Sequence, residues 1–139
     1  MKETITTKWL SDLAFEAEVG GHKIYMDSSV EHGGKNTGPR PKPLMMVALA
    51  GCTGMDVAAI LKKMRVEYDE FAVDVEGNIT EEHPKRFDEM KIIYRLKGKK
   101  INRELVEKAV NLSATRYCGV FANYSQAFPI SYEILIEEN

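Results

Sequence analysis

The chain has 139 residues, of which 44% are hydrophobic and 29% charged, and its formal net charge is −2. That length predicts one domain over residues 1–139 with its own apolar core, in a composition ordinary for a globular protein. A charge so near balance, with no Lys/Arg cluster interleaved with stacking aromatics, excludes a nucleic-acid surface as the main business. KGKK at 97–100 reads as a solvated turn.

In chain order, residues 3–9 read as a first strand. Leu13, Phe15, Ala17 and Val19 then alternate with more polar neighbours, Gly20-Gly21 supplies a two-residue turn, and HKIYMD carries Ile24 and Met26 on one face, which predicts a β-hairpin. Residues 28–43 form a loop, because Pro39, Pro41 and Pro43 and three glycines forbid regular pairing. A helix is predicted over 44–64, with Pro43 at its first turn and Lys62, Lys63 and Arg65 at its end. It is apolar on nearly all sides, which makes it the central core helix. A membrane span is rejected, since Asp56 lies well inside the stretch and an acid at mid-membrane costs roughly 2.5–3.5 kcal/mol.

Strands follow at 67–79 and 88–97, joined by a hairpin loop at 81–86. Asn102 is the predicted N-cap of a second helix reaching residue 117, with Ile101 and Val106 spaced as a hydrophobic staple and Leu105, Ala109 and Leu112 as the inward stripe. A last strand covers PISYEILIEE (129–138). Strands grouped before and after helices predict an α+β fold with largely antiparallel pairing.

The two cysteines hold the chemistry. Cys52 sits between Gly51 and Gly54 on the apolar helix, and Cys118 lies among aromatics after the second. A free cysteine is ordinarily a small buried hydrophobe, but two thiols on separate small-residue-rich elements also suit redox chemistry. Cys52 lies beyond the first helical turn and has Asp56 four residues on, so a reactive thiolate there needs a cation from elsewhere. Arg40, Lys42 and Arg116 are the candidates. Once Cys52 is oxidised to a sulfenic acid, Cys118 is placed by type to condense with it. Neither belongs to a C-x-x-C motif, and His22, His32 and His83 are scattered, so no metal ligand set and no cofactor motif is visible. The first residues, MKETITTKWL, lack a secretory pattern, which predicts a cytoplasmic protein with reduced thiols.

PLMMVALAGCTGMDVAAILKKMR (43–65) and RYCGVFANY (116–124), with the order of elements around them, resemble the OsmC/Ohr family, and GCTGMDV followed by ILKKMR is nearest its OsmC-like branch. The resemblance covers nearly the whole chain. It implies an OsmC-like fold in an intertwined homodimer, with a peroxidatic cysteine at Cys52 and a resolving one at Cys118. It further implies reduction of organic or inorganic hydroperoxides without metal or flavin, and regeneration by a dithiol of the lipoyl type. The family usually has a glutamate nine or ten residues before the first cysteine, clamping an arginine over the thiol; here those positions hold Pro43 and Lys42, and no arginine precedes Arg40. The arginine's role is then taken by Arg40 or Arg116, or is missing. The alternative is a non-catalytic small-molecule binder on the same dimer, with an apolar interface pocket around Met45, Met46, Met55 and Phe121.

Overall fold

The computed structural model describes residues Met1–Asn139, which form two compact units, Met1–Met45 and Met46–Asn139. The first is a meander of three antiparallel strands, β1 (Thr6–Ser11), β2 (Ala14–Val19) and β3 (His22–Met26). The hairpin expected at Gly20-Gly21 is there. Both glycines have positive φ, 55° and 82°, which the two central residues of such a turn require.

The loop after β3 gathers around one carboxylate, beside its own backbone turns. Asp27 is buried, and its carboxylate accepts from the Ser28 N–H at 2.7 Å, the Lys35 N–H at 3.1 Å, and both the N–H and hydroxyl of Thr37 at 3.1 and 2.7 Å. Prolines and glycines explain why this stretch cannot be a strand. They do not reveal that a carboxylate stands in for the missing backbone pairing.

The second unit opens on α1 (Leu44–Lys63). Its buried residues are Leu49, Thr53, Val57 and Leu61, a stripe repeating every four positions, while Val47 and Met55 are 62% and 76% exposed. The helix is therefore buried along one stripe rather than all round. By length and composition alone α1 is long and apolar enough to cross a membrane. Its stripe instead packs on a three-stranded sheet in the order β4 (Glu70–Ile79), β5 (Phe87–Gly98), β6 (Ile130–Glu138).

β4 and β5 pair antiparallel, as the hairpin predicted, but β6 runs parallel to β5. A parallel pair needs a crossover, and the helices between the strands supply it. α2 (Arg103–Leu112) begins at Asn102, whose side chain accepts from the Leu105 N–H at 3.3 Å. Its buried face is Val106, Ala109 and Val110, so the inward stripe is rotated from the Leu105/Leu112 expectation and shares only Ala109 with it. The predicted helix to residue 117 ends in a π-helical turn, Ser113–Tyr117, and a further helix, α3 (Gly119–Ser125), follows Cys118.

This packing sets the tolerance of Gly77. A Cβ there would stand 2.7 and 2.8 Å from Phe87 ring atoms and 3.1 Å from Met46 Sδ. Because Phe87 is a buried core residue, Gly77→Ala should destabilise the protein by about 1–3 kcal/mol in urea unfolding, the usual cost of overpacking. In the first unit the sensitive group is Asp27, whose carboxyl is held at about 2, below its ordinary 3.8, chiefly by the Thr37 hydroxyl and then by the surrounding N–H groups. A depressed folded-state pKa gives stability that is complete above the ordinary value and lost as pH falls through about 2. Exchange at the Lys35 and Thr37 amides should therefore accelerate across that window, and in Asp27→Asn it should already be fast at neutral pH.

Candidate thiol site

Helix α1 presents Cys52, Thr53 and Asp56 within little more than one turn. Residues at i and i+4 share a face, so Cys52 and Asp56 project together, as the spacing suggested. Cys118 comes from the crossover between β5 and β6. The π turn sets it there, because its N–H reaches back five residues to the Ser113 carbonyl at 2.8 Å. The wide turn thus fixes Ser113 at one end and Cys118 at the other; π-turns are frequent at functional sites.

The result is a tight convergence. The sulfurs of Cys52 and Cys118 and a carboxylate oxygen of Asp56 all lie within 4.8 Å of one another. Both cysteines are free; Cys118 is buried, at 3% exposure, and Cys52 is only half-buried. Residues far apart in the sequence meet, as the redox reading required.

A hydrogen-bonded chain backs the carboxylate. Ser113 Oγ donates to Asp56 Oδ2 at 2.9 Å, Thr53 Oγ1 lies 2.8 Å from Ser113 Oγ, and Tyr94 OH lies 2.6 Å from Thr53 Oγ1. Each hydroxyl has one proton. With the Ser113 proton committed to the carboxylate, Thr53 must donate to Ser113 and Tyr94 to Thr53, so the whole chain points at Asp56. Thr53, Ser113 and Tyr94 are fully buried, and desolvation pushes the Tyr94 phenol up to about 12.

Cys118 is held as a thiol. Burial first pushes it up, to about 11 from 9.0; the Phe121 N–H, 3.3 Å from its sulfur, acts against this, while a hydrogen bond with Cys52 and the charges of Cys52 and Asp56 act with burial. Asp56 thus adds to the upward shift of Cys118.

The predicted cations lie as follows. Arg40 belongs to the first unit, where its guanidinium donates to the Gly38 carbonyl at 3.0 Å and Asn36 Oδ1 at 2.8 Å, bracing its own loop. Arg116 stacks over the Tyr117 ring at 5.6 Å. Of the residues named for an apolar pocket, Met46 and Phe121 pack against the core and Met55 is exposed. Sequence reasoning missed Thr53, Ser113 and Tyr94. A signal for the first exists: a hydroxyl residue stands at the second position of the Leu49, Val57, Leu61 stripe, where an apolar one belongs.

The family model described as OsmC-like protein matches residues 33–133 of this chain. Protein YhfA of Escherichia coli strain K12 is 33% identical over 131 residues, which cover 92% of this chain and 95% of YhfA. A hypothetical protein from Aquifex aeolicus VF5 has a structure similar at a TM-score of 0.82 and 29% identity, over 99% of this chain and 98% of that one. The organic hydroperoxide resistance protein OhrB of Bacillus subtilis, at 15% identity and a TM-score of 0.61 over 100% of this chain and 98% of its own, shares the fold.

Thr53→Val tests the buried chain. It keeps the shape but removes the hydroxyl between Tyr94 and Ser113, leaving buried groups short of a partner, and should cost about 1–3 kcal/mol in urea unfolding. Tyr94→Phe in the same background should cost less than it does alone, because the bond it removes is already gone.

Proposed function

The chain belongs to the OsmC-like protein family, and on that premise we propose that it is a thiol-based redox enzyme that reduces hydroperoxides. The observation that carries this reading is the pair of free sulfurs within 4.8 Å, one half-buried and one buried. The difference in access supports one division of roles. Cys52 meets the oxidant, and Cys118, shielded and protonated, waits for the oxidised product.

In the first step the Cys52 thiolate attacks the distal oxygen of ROOH; the O–O bond breaks, Cys52 becomes a sulfenic acid, and the alkoxide leaves as ROH after taking a proton. In the second, the Cys118 sulfur attacks the sulfenic sulfur, its proton leaves with the hydroxyl as water, and a disulfide forms. An S–S bond is about 2.05 Å, so the sulfurs must close by no more than about 3 Å. An external dithiol, of the lipoyl type by family resemblance, then takes up the disulfide's oxidising equivalents and restores both thiols.

Arg40 enters this reading on the resemblance alone, as the cation that favours the Cys52 thiolate. The working form is taken to be a homodimer, consistent with the exposed apolar positions Val47 and Met55 on α1 and Trp9, Leu10 and Tyr25 on the first sheet. The setting is taken to be the cytoplasm, where thiols rest reduced.

Reduced protein should consume cumene hydroperoxide or hydrogen peroxide with turnover when a dithiol is supplied. Cys52→Ser should fall to background. Cys118→Ser should react once and accumulate a sulfenic acid that dimedone traps, and Arg40→Gln should slow the first step while leaving disulfide closure intact. Peroxide consumption undiminished in Cys52→Ser rejects the mechanism.

A further inference from the structure

The convergence of Cys52, Asp56 and Cys118 has a second chemical meaning that does not depend on peroxide. Two sulfurs and a carboxylate oxygen within 4.8 Å of one another form a ligand set for a thiophilic divalent cation. In a tetrahedral zinc site, Zn–S bonds of about 2.3 Å and Zn–O bonds of about 2.0–2.2 Å put ligand atoms about 3.5–3.8 Å apart. Atoms within 4.8 Å of one another reach that by closing no more than about 1.3 Å.

The surroundings match what a metal needs beyond its direct ligands. Ser113 Oγ donates to Asp56 Oδ2 at 2.9 Å, and Thr53 and Tyr94 hold Ser113 in turn. Such partners orient a ligating carboxylate and fix which lone pairs face the ion. The Phe121 N–H, 3.3 Å from the Cys118 sulfur, is a hydrogen bond that a bound thiolate would strengthen. Three groups that carry negative charge once deprotonated thus share a half-buried corner, an arrangement that a divalent ion neutralises and that is otherwise costly.

We propose that the reduced protein binds Zn2+ through Cys52 Sγ, Cys118 Sγ and Asp56, with Ser113 as a positioning residue and the fourth coordination position open. Binding displaces the protons of both thiols. It also withholds both sulfurs from an oxidant, so metal-loaded and peroxide-reactive forms are alternatives at one site.

The test uses Co2+ as a spectroscopic stand-in, added to full-length, reduced, oxygen-free protein with no peroxide present. A near-ultraviolet thiolate-to-cobalt band should saturate at one ion per chain, with the visible bands of a tetrahedral ion, and Zn2+ should displace it. Cys52→Ser and Cys118→Ser should each lose most of the band. Ser113→Ala should weaken Co2+ binding roughly 10–100-fold, the usual effect of removing a partner behind a metal ligand, and Asp56→Asn at least as much. Thermal unfolding of the metal-free variants identifies any that fail to fold; should Asp56→Asn be among them, Asp56→Glu, which keeps the carboxylate but moves it, should shift the visible bands. Absence of the near-ultraviolet band overturns the proposal, as does Co2+ bound with an octahedral spectrum, or a band and affinity unchanged in folded Asp56→Asn and Ser113→Ala. Because no oxidant is involved, failure of cobalt binding leaves the result of the peroxide assay untouched, and the reverse holds.

Discussion

The Thr53 hydroxyl lies 2.6 Å from Tyr94 OH and 2.8 Å from Ser113 Oγ, and through those two contacts α1, β5 and the π turn become one piece. No other side chain on the buried stripe of α1 is polar. A hydroxyl costs free energy when buried unless it is paired, so this position tolerates only the arrangement in which all three elements are docked. Apolar packing alone would let α1 slide or rotate over the sheet. The paired hydroxyls forbid it, and they fix where Cys52 and Asp56 point, because both sit on the same helix within four residues of Thr53.

That constraint explains why the thiol site is so closely set despite its divided origin. Cys118 is anchored from its own side by the N–H bond to Ser113, and Ser113 is anchored to Thr53. The distance between the sulfurs is therefore governed by backbone and hydroxyl contacts rather than by the cysteines themselves. A site placed this way can change how its two sulfurs meet without losing its frame.

Much of this is legible in the residues. The Gly20-Gly21 hairpin, the Asn102 cap, the long apolar helix and the facing of Cys52 and Asp56 are local rules, and local rules read directly from sequence. What is not legible depends on distant partners. The buried face of α2 departs from its spacing because Leu105 and Ala109 have helical periodicity, yet the sheet buries Val106 and Val110; a helix with apolar residues on both flanks does not say which side the sheet will take. The parallel β6 is hidden because strand direction is set by the crossover, not by the alternation within PISYEILIEE. The hydroxyl chain is hidden for the same reason, since Thr53, Tyr94 and Ser113 are ordinary residues until the fold brings them together. The meeting of the cysteines is foreseeable by resemblance and by type; Asp56 reads from sequence as an electrostatic burden and not as a third member of the cluster.

The parallel pairing of β5 with β6 has an effect on the order of assembly. A hairpin zips from its turn, but these two strands join only after the intervening helices have packed back across the sheet, and such long-range closure is slow. Cys118 lies within that crossover, while Cys52 and the β4–β5 hairpin precede it. On a growing chain the earlier sulfur is thus made before its mate exists, and the redox pair is among the last features to form. A nascent or truncated chain would carry a solitary, unguarded thiol, open to mispairing with other molecules until the final strand docks.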